Sequence, residues 1–144
     1  MWAVAPDVPF DAAGTLAEST PWLARIRGLG VPVAFAAQDG SEHGLIPWED
    51  IDVLFVAGST EWKLSQAAAD LVAQAKRRGK GAHMGRVNSE RRLRHAVAVG
   101  CDTADGTFLA FGPDTNLPRI VSWGERLRAR HPWVQFPLIE EAGA

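Results

Sequence analysis

The chain has 144 residues, 47% of them hydrophobic, and a formal net charge of −2, enough to bury one core and too little positive charge for a general polyanion binder. No apolar run approaches the length of a membrane span, and Met1-Trp2-Ala3-Val4-Ala5 meets Pro6-Asp7 without a basic leader, so a cytoplasmic location and no membrane partner are expected. The lone cysteine, Cys101, excludes an internal disulfide and a multi-cysteine zinc site; no bound metal and no cofactor are expected.

Trp2–Ala5 predicts a short strand ending at Pro6-Asp7, and a helix follows from about Asp11 to Gly28 with Leu16, Leu23 and Ile26 on its apolar side. Pro21 is expected to kink that helix or split it. Val31–Ala37 predicts a second strand ending at Gln38-Asp39-Gly40, and Pro47–Asp50 a short turn. Val53–Ala57 is an unbroken apolar run of the kind buried in parallel sheets, ending at Gly58-Ser59-Thr60-Glu61-Trp62-Lys63.

Ser65 predicts the cap of a helix to Arg78, with Ala68, Leu71, Val72 and Ala75 facing the core and Lys76, Arg77 and Arg78 at the negative end of the dipole. Gly81–Met84 is the fourth strand, and Asn88 or Ser89 caps a helix whose Leu93, Ala96 and Val97 face inward until Gly100 ends it. Cys101–Asp105 is the fifth strand. A last helix is expected from Asn116 or Leu117 to about Ala129 with Pro118 in its first turn, then a loose tail over 131–144.

This alternation predicts one α/β domain over residues 1–130 with a parallel sheet and right-handed crossovers. Two architectures fit: a partial TIM-type barrel of about five βα units, or a flavodoxin-like doubly wound sheet. A complete barrel takes about 250 residues, so only part of one is expected. In both architectures chemistry gathers at the C-terminal strand ends, which carry Asp7, Gln38, Asp39, Gly58, Ser59, His83, Gly85, Arg86, Asp102 and Asp105. From Lys76 to Arg94 the bases outnumber the acids, with Glu90 the lone acid, which suits a phosphate-facing patch or two solvated helix faces equally.

The bland readings stand beside these. Asp102 or Asp105 suits a turn cap, and His83, between apolar residues, suits a satisfied core or rim histidine. The tryptophans suit packing at helix–sheet junctions, Trp62 beside Ser59 and Lys63 being the one placed to stack on a base.

Read together, the strand ends resemble the later part of the queuine and archaeosine tRNA-guanine transglycosylase family, and most resemble its phage and bacterial relatives that exchange guanine in DNA for a 7-deazaguanine. The resemblance spans roughly Trp2 to Arg119. Its strongest segment runs from His83-Met84-Gly85-Arg86-Val87-Asn88-Ser89, similar to the family's Met-Gly loop, through Gly100-Cys101-Asp102-Thr103-Ala104-Asp105, similar to its Gly-x-Asp-x-x-Asp strand. Val33–Gln38, Val56–Ser59 and Ala5-Pro6-Asp7 resemble the strand ends that recognise the base.

The resemblance implies Asp105 as catalytic nucleophile, and Asp7, Gln38, Gly58, Ser59, Met84 and Gly85 as base-binding residues. Lys63, Arg86 and Arg91 are the expected contacts to the nucleic-acid backbone. The implied partners are DNA before tRNA, and a free guanine or 7-deazaguanine such as preQ0. Three departures accompany it: the chain begins after the family's general acid/base aspartate, the tRNA enzymes' zinc site of three cysteines and a histidine is absent, and Gly106 stands where the family has cysteine after the nucleophile. The alternative reading is therefore a truncated or split base- or nucleic-acid-binding module that needs a second copy or a partner chain to complete the barrel.

Overall fold

In the computed structural model residues 1–133 are described, and the chain divides into two compact units, Met1–Gly106 and Thr107–Ala144. The first unit holds strands β1 (Ala3–Val4), β2 (Val33–Ala37), β3 (Val53–Val56), β4 (Gly81–Met84) and β5 (Thr103–Ala104). They pair in sequential order, every neighbour parallel, and the sheet curls into a half-barrel. A flavodoxin-like sheet reverses after its first strand, so the sequential order decides for the partial barrel.

Helices α1 (Ala12–Gly28), α2 (Thr60–Lys63), α3 (Gln66–Arg77) and α4 (Glu90–Val99) follow β1, β3, β3 and β4. Between β2 and β3 two 3-10 turns, Ser41–His43 and Trp48–Asp50, do the work of a helix, so the βα alternation is not strict. The predicted caps are present: Ser65 Oγ accepts from Ala68 N at 3.3 Å, Ser89 Oγ from Arg92 N at 3.3 Å, and Gly100 ends α4 at φ 93°. Pro21 does not split α1, which runs unbroken through it. Thr20 Oγ donates to Leu16 O at 2.6 Å, a bond made within the turn the proline leaves short of an amide.

The register decides which residues face the helices. Val33, Phe35, Ala37, Leu54, Val56, Ala82 and Met84 pack with Leu23 of α1 and Leu71, Val72 and Ala75 of α3 in one core. The intervening residues face the other way, where Phe55 and His83 are register partners and both meet the Trp2 ring. Cys101 packs against the core; burial, and after it the charge of Asp102, pushes its thiol up to about 12.

Two acids tie the N-terminal edge of the sheet. Asp52 Oδ2 accepts from Val33 N at 2.9 Å, and Asp102 Oδ2 from Ala82 N at 2.8 Å. Asp102 therefore does not join the C-terminal strand ends, because β5 is only two residues long and Asp102 precedes it. It also holds Lys76 in an ion pair. The basic run expected as one patch is divided by the same geometry: Lys76, Arg78 and Lys80 lie where α3 returns to that edge, with Lys80 Nζ on Ile51 O at 2.7 Å and the Arg78 guanidinium over Trp48.

In the second unit a 3-10 turn, Phe108–Ala110, leads to α5 (Pro113–Arg130). This helix starts earlier than predicted, with Pro113 in its first turn and Pro118 inside it. Asn116 is buried rather than capping, its Nδ2 donating to Phe108 O and Phe111 O, both at 2.8 Å. Trp123 stacks on Phe108 at 5.1 Å, a packing role. Of the expected loose tail, residues 134–144 lie outside the described residues. Among the described residues no helix is long and apolar enough to cross a membrane.

Candidate functional site

Asp105 leaves β5 at its C-terminal end with its side chain about half exposed, 57%. Oδ1 accepts the backbone N–H of Arg86 at 2.8 Å, and Oδ2 lies 3.2 Å from Nε2 of His83. His83 is buried on β4, and its Nδ1 meets Thr103 Oγ at 2.8 Å. With the proton on Nε2, His83 donates to Asp105 and accepts from Thr103. The histidine expected to be merely satisfied thus has the candidate nucleophile as one of its two partners.

The loop after β4 is shaped around this carboxylate. Arg86 has φ 56°, left-handed for a residue with a Cβ, and this turn presents its N–H to Asp105. Val87 N donates to Asp105 O at 2.6 Å. A Cβ on Gly106 would stand 2.7 Å from Val87 O, so the close approach of this loop demands glycine here. Gly85 is equally constrained, since its Cβ would strike the Phe55 ring.

Arg86 Nη2 reaches back to Ala57 O at 2.8 Å and Gly58 O at 3.4 Å, joining the ends of β3 and β4. Arg92 Nη1 donates to Arg86 O at 3.3 Å, and Arg91 is exposed in the first turn of α4. Lys63 differs from the surface cation expected of it. It is 3% exposed, with Nζ donating to Gly85 O at 2.8 Å, too enclosed for a phosphate on the outside of the protein. Burial, then the charges of Arg86 and Arg92, bring its ammonium down to about 8.

At the end of β2, Gln38 is buried and Asp7 exposed, and they bond each other: Gln38 Nε2 donates to Asp7 Oδ2 at 2.7 Å, while Oε1 accepts from Phe10 N at 3.0 Å. Buried Thr15 and Ser19 of α1 hold the loop carrying Asp7, through Val8 N and O and through Pro6 O. Asp39 grips Ser59, accepting its N–H at 2.7 Å and its Oγ–H at 2.6 Å. Burial raises the Asp39 carboxyl, but the Ser59 bonds outweigh it and the net shift is downward. A Cβ on Gly58 would stand 2.5 Å from Asp39 Oδ2 and 2.6 Å from Trp62 Cε3.

The structure therefore brings Asp7, Gln38, Gly58, Ser59, Gly85, Arg86 and Asp105 to one edge of the sheet, with Met84 buried behind them as a core residue. Trp62 is buried with its Nε1 on Glu42 at 2.9 Å and offers no face for stacking. His83 and Asp39 were missed as partners, since their bonds join different strands. Among the described residues no three His, Cys, Asp or Glu side chains stand together as a metal set. The arrangement offers a held, solvent-facing carboxylate, acceptors for ring N–H groups, and cations at the rim. No protein-family model, curated protein or solved structure matches this chain.

Proposed function

We propose that this chain is a guanine transglycosylase-like enzyme, exchanging guanine in DNA, in preference to tRNA, for a free 7-deazaguanine through a glycosyl-aspartate on Asp105. The reading is supported above all by the Asp105 carboxylate, half exposed at the open end of the sheet with one oxygen on Arg86 N–H and the other beside His83. A nucleophile for an anomeric carbon must be rigidly aimed, and two bonds to one carboxylate provide that.

In the first step a carboxylate oxygen attacks C1′ of the nucleotide and the C1′–N9 bond breaks. Guanine leaves with the bonding pair and takes up one proton. In the second, N9 of the incoming base attacks C1′, loses one proton, and releases Asp105 as carboxylate. Asp7 and Gln38, now joined to each other, would exchange that bond for the base, Asp7 Oδ2 accepting a ring N–H and Gln38 Nε2 donating to an acceptor atom of the purine. Arg86 and Arg91 supply charge for the phosphodiester of an extruded nucleotide.

The test is incubation of the purified chain with guanine-containing DNA, and separately with tRNA, in the presence of radiolabelled guanine or preQ0. Label incorporated by the wild type and lost in Asp105→Asn and Asp105→Ala is the expected result; incorporation into tRNA alone would correct the polymer.

A second reading rests on the strand order, which among the described residues leaves β1 and β5 as the outer strands of the sheet, with Thr103 and Ala104 exposed. In it the chain binds base or nucleic acid without turnover until a second copy or partner chain pairs with those edges. Binding without incorporation, and incorporation restored by the partner, would favour it.

A further inference from the structure

Among the described residues, two that carry side chains, Phe10 and Arg86, hold left-handed backbone, at φ 66° and 56°. They belong to different loops, after β1 and after β4, yet they meet: the Arg86 guanidinium lies over the Phe10 ring, 5.6 Å from its centroid. Arg86 is bent so that its N–H reaches Asp105. Phe10 has no such task in the exchange mechanism. A bulky ring disfavours this backbone, and the ring is 56% exposed, so neither local preference nor burial accounts for the conformation.

The turn is held from several sides. Phe10 N–H donates to Oε1 of buried Gln38 at 3.0 Å, and the residues before it are fixed by Thr15 on Val8 and by Ser19 on Pro6. Gln38 Nε2 in turn meets Asp7 at 2.7 Å. Phe10 therefore bridges the polar pair proposed to read the edge of the base and the Arg86 turn that holds Asp105.

A flat heterocycle needs a face as well as an edge to be held. Trp62, the residue expected to stack, is buried with its Nε1 on Glu42, and Met84 is buried behind the strand ends. Phe10 stays exposed there. We propose that Phe10 is the stacking residue of this site, taking the flat face of the purine while Asp7 and Gln38 take its edge, and that its left-handed backbone is what holds the ring at this edge. The inference rests on the base-exchange reading above and adds a binding residue to the same site.

A residue placed for packing loses stability when replaced, and one placed for stacking loses affinity. Equilibrium dialysis of the full chain against radiolabelled guanine and preQ0 separates the two, with wild type, Phe10→Asn and Phe10→Tyr, each also unfolded thermally. Asparagine tolerates left-handed backbone and keeps the N–H for Gln38. Phe10→Asn is expected to bind both bases about tenfold or more weakly, with a thermal midpoint no lower than that of the wild type. Phe10→Tyr keeps the ring and is expected to stay within about threefold of wild-type binding. Unchanged binding by Phe10→Asn, or an equal loss in Phe10→Tyr, overturns the inference and leaves base binding standing. A loss of binding that comes with a lowered midpoint in Phe10→Asn assigns the ring to packing and overturns it as well. Binding of neither base by the wild type overturns the base-exchange reading and the inference with it.

Discussion

The backbone N–H of Arg86 meets Oδ1 of Asp105 at 2.8 Å from a left-handed conformation, φ 56°. A side-chain-bearing residue held there is strained by about 1–2 kcal/mol, while glycine is not. Arg86→Gly and Arg86→Ala both lose the guanidinium bonds to Ala57 O and Gly58 O, so their difference isolates the backbone. The glycine variant is expected to be more stable than the alanine variant by about 1 kcal/mol in urea unfolding. Equal stabilities would remove strain from the account of this loop.

His83 is the second support of the same carboxylate. His83→Phe keeps an aromatic ring against Trp2 and Phe55 and removes the bond to Asp105 Oδ2. A hydrogen bond to a charged group contributes about 1.5–3 kcal/mol, so kcat for base exchange is expected to fall by about 10–100-fold. KM for the free base should change little, since His83 supports the proposed nucleophile and not the base. A variant with full kcat would release His83 from this role.

Gly58 has space for hydrogen and nothing larger, with Asp39 Oδ2 and Trp62 Cε3 at 2.5 Å and 2.6 Å from a hypothetical Cβ. Gly58→Ala must push Asp39 off Ser59 or shift the buried Trp62. Overpacking of this kind costs about 1–3 kcal/mol, to be read as a lower urea midpoint at unchanged m-value.

Lys63 makes stability depend on alkaline pH. Its ammonium falls from the ordinary 10.5 to about 8 in the folded protein, so between those pH values the unfolded chain holds more protons and stability rises with pH. Arg86 and Arg92 push the value down, against Asp105 and Asp39, which hold it up. Relative to Lys63→Met, the wild type should gain on the order of 3 kcal/mol in unfolding free energy from pH 7.5 to 10.5. A flat difference between the two curves would place the ammonium in a better solvated setting.

Much of the scaffold is legible in the chain because its signals are local. The buried face of α3, the serine caps at Ser65 and Ser89 and the apolar run of β3 each follow from the spacing of a few neighbouring residues. Errors fell where distant contacts override local preference. Pro21 was expected to kink its helix or split it, and the split does not occur where α1 packs against β2. Asp102 was grouped with Asp105, although a two-residue strand sends the two acids to opposite edges of the sheet.

The sequence by itself determined that this is an α/β chain and that Asp7, Gln38, Gly58 and Asp105 fall at strand ends, because side-chain periodicity and turn chemistry act over a few residues. Only the tertiary structure decided between half-barrel and doubly wound order, joined His83 and Arg86 N–H to Asp105, and buried Lys63 on Gly85 O. Strand order, cross-strand hydrogen bonds and burial depend on which distant segments become neighbours, and no local pattern encodes that pairing.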